Sequence, residues 1–193
     1  MRFAFPARLK LRRLHVRGMP RYVRAVVPGG TFFFTVVTLE RSRGLLTKNI
    51  DVLREVFARA QRRRPFTIDA IVVLPDHLHC IWTLPTGDSD FSSRWHEIKA
   101  CFSARLPKRE ALSARRRRKG ERGVWQRRFW EHLIRDERDF ERCADYIHWN
   151  PVKHGHARSP LVWPHSSFHR YVERGVYARE WGADPIIQAL EME

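Results

Sequence analysis

Two groups of residues in this sequence have types and spacings that could do chemistry. The first is His77-Leu78-His79. On a strand, alternate side chains share a face, so both imidazoles project the same way while Leu78 turns to the core. Two imidazoles on one face can hold a single divalent cation. The second is Tyr146 with Asn150, four residues apart in a segment of helical periodicity and therefore neighbours on one helix face. A phenol, with a reference pKa of about 10, becomes a nucleophile as it loses its proton. Plainer readings exist for both. An imidazole pair can simply occupy a sheet face, a helical tyrosine can sit at the core boundary, and an asparagine suits a helix end before Pro151. The spacing recurs at His154-Gly155-His156, but that pair follows Pro151 in a glycine-containing loop with nothing to fix its geometry, so it is expected to take no part.

The elements that would position these groups follow from hydrophobic pattern. Residues 31–39 are aromatic and β-branched after Pro28-Gly29-Gly30, which predicts a strand. Residues 49–64 carry Ile50, Leu53, Val56, Phe57 and Ala60 at helical spacing, with Asn49 or Thr47 as cap and Pro65 as stop. Strands at 67–74 and 77–84 flank the turn pair Pro75-Asp76. After the break at Pro85-Thr86-Gly87-Asp88, residues 91–106 read as a helix with Phe91, Trp95, Ile98 and Phe102 on one face. Residues 129–134 predict a fourth strand. Residues 137–150 predict a helix with Phe140, Cys143, Ala144 and Ile147 on its apolar face, ended by Pro151. This order is the α+β, ferredoxin-like (split βαβ) plan: an antiparallel sheet with helices on one face, plus an extra C-terminal helix carrying the tyrosine. The plan serves many functions, so it decides none.

Composition narrows the class. The 193 residues carry a formal net charge of +16, with 43% hydrophobic and 12% aromatic residues, enough apolar mass for one domain's core. The charge favours a polyanion partner, most simply nucleic acid. No apolar run reaches the roughly 18 residues of a membrane span. Three widely spaced cysteines, Cys80, Cys101 and Cys143, make neither a disulfide framework nor a CxxC zinc knuckle, so a reducing, cytoplasmic setting is expected. The chain divides into a basic N-terminal extension at 1–18, a domain at 19–172 and an acidic tail at 173–193. The extension is either an unstructured arm or the product of a start assigned before Met19. Within the domain, residues 101–128 have a net charge of +9, and the run Arg115-Arg116-Arg117-Arg118-Lys119 reads as a flexible loop made for phosphate contact. Arg127 and Arg128 extend that surface. Trp125, at its edge, is the candidate platform for stacking an unpaired base.

Three stretches together resemble the REP-associated tyrosine transposases, relatives of the bacterial insertion-sequence transposases that act on single strands. They are Leu74-Pro75-Asp76-His77-Leu78-His79, Trp125-Gln126-Arg127-Arg128-Phe129-Trp130-Glu131-His132, and Tyr146-Ile147-His148-Trp149-Asn150-Pro151-Val152-Lys153-His154-Gly155. With Pro164-His165-Ser166-Ser167-Phe168, the likeness spans residues 19 to 172.

The resemblance implies a His-hydrophobe-His endonuclease and transposase of single-stranded DNA, acting beside REP-type palindromic hairpins. Tyr146 falls on the nucleophile, and His77, His79 and Asn150 on the metal ligands. The implied ion is Mg²⁺, with Mn²⁺ able to substitute. The implied product is a 5′-phosphotyrosine link and a free 3′-OH, which can rejoin strands without a nucleoside triphosphate. No small-molecule substrate or membrane is implied, and the setting is cytoplasmic and nucleoid-associated. Insertion-sequence relatives share sites between two subunits, whereas the REP-associated group points to a monomer. Two readings from other classes compete: a non-catalytic ferredoxin-like nucleic-acid-binding module, and a metal nuclease that uses water. A regulator acting on RNA is a third.

Overall fold

The computed structural model describes residues 26–108 and 114–182. The segment 1–18 and the last residues of the acidic stretch lie outside them. Four strands, β1 (Thr31–Val37), β2 (Thr67–Val73), β3 (His77–Thr83) and β4 (Trp130–Leu133), form one sheet in the order β2-β3-β1-β4, with every neighbouring pair antiparallel. That is the split βαβ arrangement expected from the element order. Six helices accompany it among the described residues: α1 (Leu45–Lys48), α2 (Ile50–Arg63), α3 (Phe91–Arg105), α4 (Ala114–Arg118), α5 (Glu137–Lys153) and α6 (Phe168–Glu173).

Strand alternation divides the core in two. Phe32, Phe34 and Val36 of β1, with Leu78, Cys80 and Trp82 of β3, face α2 and α3, where Trp82 stacks on Trp95 at 4.2 Å between ring centroids. The opposite residues, Phe33 and Ile81 among them, meet Cys143, Ala144, Tyr146 and Ile147 of α5. The second face is thus closed by the extra helix, and the residues meant for chemistry lie under it.

Several local expectations change. Asn49 stands at the start of α2, but its side-chain amide donates to the Leu45 carbonyl, 2.8 Å away, and does not cap the helix. Pro151 does not end α5. It leaves the Ile147 carbonyl without its usual amide donor, yet the helix runs another turn to Lys153. Gly155, at φ +68°, makes the turn, with the His156 amide donating to the Pro151 carbonyl at 2.8 Å. The arginine run is not simply a loop. Its residues form α4, closed by Gly120 at φ +64°, and Arg116 and Arg127 both pair with Glu121. Nor does packing stop at residue 172. Tyr177 stacks on Phe168, Trp181 packs tilted against it, and Tyr177 Oη donates to Asp145 at 2.7 Å.

Candidate active site

The Pro75-Asp76 turn delivers the first imidazole. The Leu74 amide donates to the His77 carbonyl at 2.8 Å, closing a two-residue hairpin. Thr38, just beyond β1, donates to the Asp76 carbonyl through both its amide and its hydroxyl, each at 2.8 Å. The turn is therefore tied to the neighbouring strand. The Asp76 carboxylate meets His77 Nδ1 at 2.7 Å, and Thr35 Oγ1 meets His79 Nδ1 at 2.9 Å. Each ring is held through Nδ1, which leaves Nε2 as the nitrogen for a ligand. The two rings are 5.0 Å apart between centroids.

The second group comes from α5. Tyr146 and Asn150, one turn apart, are both buried against the sheet. The Tyr146 ring stands edge-on to His79 at 5.2 Å and to Phe33 at 6.0 Å. His79 Nε2 and both polar atoms of the Asn150 amide are buried without a hydrogen-bond partner. Such atoms are rare in folded proteins and call for an explanation. Burial pushes the His79 pKa well below its ordinary value, and the charges of His77, His154 and Lys153 push it further; the nearby Asn150 amide opposes them. The ring is a neutral ligand at physiological pH. Two imidazole nitrogens and an amide oxygen fit Mg²⁺ or Mn²⁺.

His154, expected in a loop with nothing to fix its geometry, lies instead at the end of the helix beside the first imidazole. Because α5 continues past Pro151, His154 caps the helix and its ring lies 5.1 Å from that of His77. Burial lowers its pKa, with His77 next in effect. The only available signal in the sequence was its position eight residues after Tyr146, which matters only once the helix is extended.

Trp125 is also corrected. It is 6% exposed, packs on Phe102 at 5.4 Å and donates from Nε1 to the Lys99 carbonyl. It has no open face for a base. The exposed tryptophan is Trp130, at 40%, which stands in the same cross-strand row as Thr35 and His79. It lies parallel to His132, with 5.9 Å between ring centroids.

The basic surface joins the sheet at the end of β1. The Gln126 amide donates to the Val37 carbonyl, while Trp130 pairs with Thr35, so the chain between them makes a bulge that carries Arg127 and Arg128. Arg117, Arg118, Lys119 and Arg128 are exposed. Beside them a groove of about 950 Å³ is lined by His96, Lys99, Lys108, Arg116, Lys119 and Arg127. Arg122 serves the fold: it donates to the carbonyls of Ser103 and Leu106 at the end of α3.

A second cluster could be mistaken for a metal centre. Ligand atoms of His132, Asp139 and Cys143 lie within 4.8 Å of one another. However, Asp139 already accepts from His132 Nε2 at 2.9 Å and Arg135 Nε at 3.0 Å, with Arg142 at 3.4 Å. Burial pushes the Cys143 thiol up to about 12, away from the thiolate a metal needs. This is a lock between β4 and the start of α5, and it gives His132 and Arg135 their place.

Comparison with known proteins gives the family. A family model described as "Transposase IS200 like" matches residues 31–150, which run from β1 to Asn150. This chain belongs to the IS200-like transposase family. It is 47% identical over 166 residues to the REP-associated tyrosine transposase of Escherichia coli (strain K12), covering 86% of this chain and 93% of that protein. It is 41% identical over 168 residues to a putative REP-associated tyrosine transposase of Haemophilus influenzae (strain ATCC 51907 / DSM 11121 / KW20 / Rd), covering 86% and 96%. Among solved structures, it superimposes on a REP-associated tyrosine transposase bound to a REP hairpin with a TM-score of 0.74, at 47% identity, covering 86% of this chain and 93% of that one. As in its relatives, the enzyme class is that of the tyrosine transposases. No helix among the described residues of this family member is long and apolar enough to cross a membrane.

Proposed function

We propose that this transposase cleaves and rejoins single-stranded DNA at REP-type hairpins, with Tyr146 as nucleophile beside a divalent cation held by His77, His79 and Asn150. The observation that carries this reading is the set of buried, unpartnered atoms, His79 Nε2 and the Asn150 amide, gathered against the Tyr146 ring. The solved relative with its REP hairpin supports the choice of substrate.

Divalent charge at that point would offset the negative phosphodiester and polarise its phosphorus. The chain's residues do the rest. Asp76 and Thr35 fix the imidazoles through Nδ1. The helix holds Tyr146 and Asn150 in register, so the nucleophile arrives already oriented. Tyr146 Oη bonds to phosphorus, the P–O3′ bond breaks, and the departing oxygen becomes a free 3′-OH. A 3′-OH attacking the phosphotyrosine reverses the step and joins strands. Arg117, Arg118, Lys119 and Arg128 would grip backbone phosphates. Tyr146 packs against His79 of its own chain, an arrangement that lets a monomer carry out the step.

The test uses a labelled single-stranded oligonucleotide carrying a REP hairpin, with Mg²⁺ or Mn²⁺. Wild type should cut it and form a covalent adduct that survives a denaturing gel, and Tyr146→Phe should form none. Cutting without an adduct would establish a water-using nuclease. Binding with no cutting would establish a non-catalytic module.

A further inference from the structure

Lys153 stands seven residues after Tyr146, two helical turns on, so both side chains project from one side of α5. Its ammonium lies over the Tyr146 ring, 4.9 Å from the centroid. It occupies the last turn of α5, where the helix dipole favours a cation. Around it the chain supplies the imidazoles of His77, His79 and His154. The Asp76 carboxylate beside these rings is bonded to His77 and pairs with Arg41. Lys153 thus brings a fixed positive charge to the edge of the proposed cation site, on the ring that a phosphate must reach.

We propose that the Lys153 ammonium binds the non-bridging oxygens of the scissile phosphate, which makes Lys153 a catalytic residue alongside Tyr146. The proposal rests on the reading of Tyr146 given above. A phosphorus poised for attack sits about 3–3.5 Å from the phenol oxygen. Its outer oxygens then come within a short side-chain movement of an ammonium resting on the ring face. An exposed cation–π contact is weaker than a charge-assisted hydrogen bond to phosphate, so arriving DNA should take the ammonium from the ring. As the Oη–P bond forms and the P–O3′ bond breaks, negative charge gathers on those oxygens, and the contact strengthens. The phenol's proton passes to water, and the departing 3′ oxygen takes one from water. Lys153 transfers no proton in this step.

The test reads binding of the full chain in EDTA, where no cleavage occurs, by fluorescence anisotropy. The probe is a REP hairpin oligonucleotide whose cleaved bond has first been mapped with wild type and Mg²⁺. It is made in two forms, one with a normal phosphate and one with a neutral methylphosphonate at that bond. For the normal form, Lys153→Gln should weaken binding about tenfold and lower the salt slope by about 0.7, the value for one single-strand phosphate contact. For the methylphosphonate form, it should change nothing. Lys153→Arg should behave as wild type. Equal losses with both forms, or no loss with either, would overturn the proposal and leave the role of Tyr146 intact. Cleavage by Tyr146→Phe during mapping would instead remove the reading beneath it.

Discussion

Thr35 Oγ1 lies 2.9 Å from His79 Nδ1, across the ladder that joins β1 to β3. The hydroxyl sits on the residue directly opposite the imidazole, so the sheet register itself decides which nitrogen of His79 is left for a ligand. Outer partners of this kind are worth about 10–100-fold in metal affinity when removed. Thr35→Val keeps the branched shape and removes the hydroxyl. It should weaken Mn²⁺ binding by that factor in isothermal titration calorimetry, while the folded circular dichroism spectrum is retained. Unchanged affinity would mean that packing alone orients the ring.

The two tryptophans at the basic edge should behave in opposite ways. Trp130 is exposed in the same row as His79, whereas Trp125 is buried against Phe102. Trp130→Ala should weaken single-stranded DNA binding by about 1–3 kcal/mol, the usual worth of one stacked base, with little change in melting temperature. Trp125→Ala should instead destabilise the fold by about 3–5 kcal/mol, as large core truncations do. Thermal melts beside anisotropy titrations separate the two, and a loss of stability without a loss of binding at Trp130 would remove it from the interface.

The exposed positive charges make a quantitative statement about salt. Arg117, Arg118, Lys119 and Arg128 are exposed, while Arg116 and Arg127 are engaged with Glu121. Replacing the first four together with Gln should flatten the dependence of log affinity on log salt by up to about 0.7–0.9 for each phosphate the chain no longer neutralises. The same treatment of Arg116 and Arg127 should have a smaller effect, because an internal carboxylate already offsets their charge. Equal effects from the two sets would show that the Glu121 pairs open when DNA binds.

What could be read from the sequence was whatever depends on short-range periodicity. Alternation along 77–83 placed both imidazoles on one face, and a spacing of four placed Asn150 beside Tyr146. The four strands were legible because their residues are β-branched and aromatic and their boundaries carry Pro or Gly. What could not be read depends on which of two signals wins. Pro151 looked like a terminator, but Gly155 makes the turn, and only the longer helix brings Lys153 and His154 to the site. Trp125 and Trp130 differ by five positions in one basic stretch, and only strand pairing decides which faces solvent. Thr35 carries no motif; its role exists only in the register of β1 against β3.

The buried histidine behind the site should govern acid stability. His148 is buried among Phe168, Tyr171 and Tyr177, with Nε2 2.9 Å from Ser167 Oγ. Burial, assisted by Arg170, lowers its pKa to about 3, against about 6.5 for an unfolded histidine. Between those values the unfolded chain carries a proton that the folded chain refuses, so stability rises with pH across that window and is flat above it. On acidification from pH 6.5 this one residue removes up to about 1.36 kcal/mol per pH unit. His79, also depressed, adds the same sign, while Asp69 and Asp145, raised by burial, act in the opposite direction. A difference measurement isolates His148. His148→Gln keeps a polar group beside Ser167 but cannot take the proton, so urea unfolding between pH 4 and 6 should lose about one proton's worth of slope relative to wild type. Parallel curves for the two proteins would mean that His148 is protonated in the folded state, and that the contact with Ser167 and the three aromatic rings tolerates a cation.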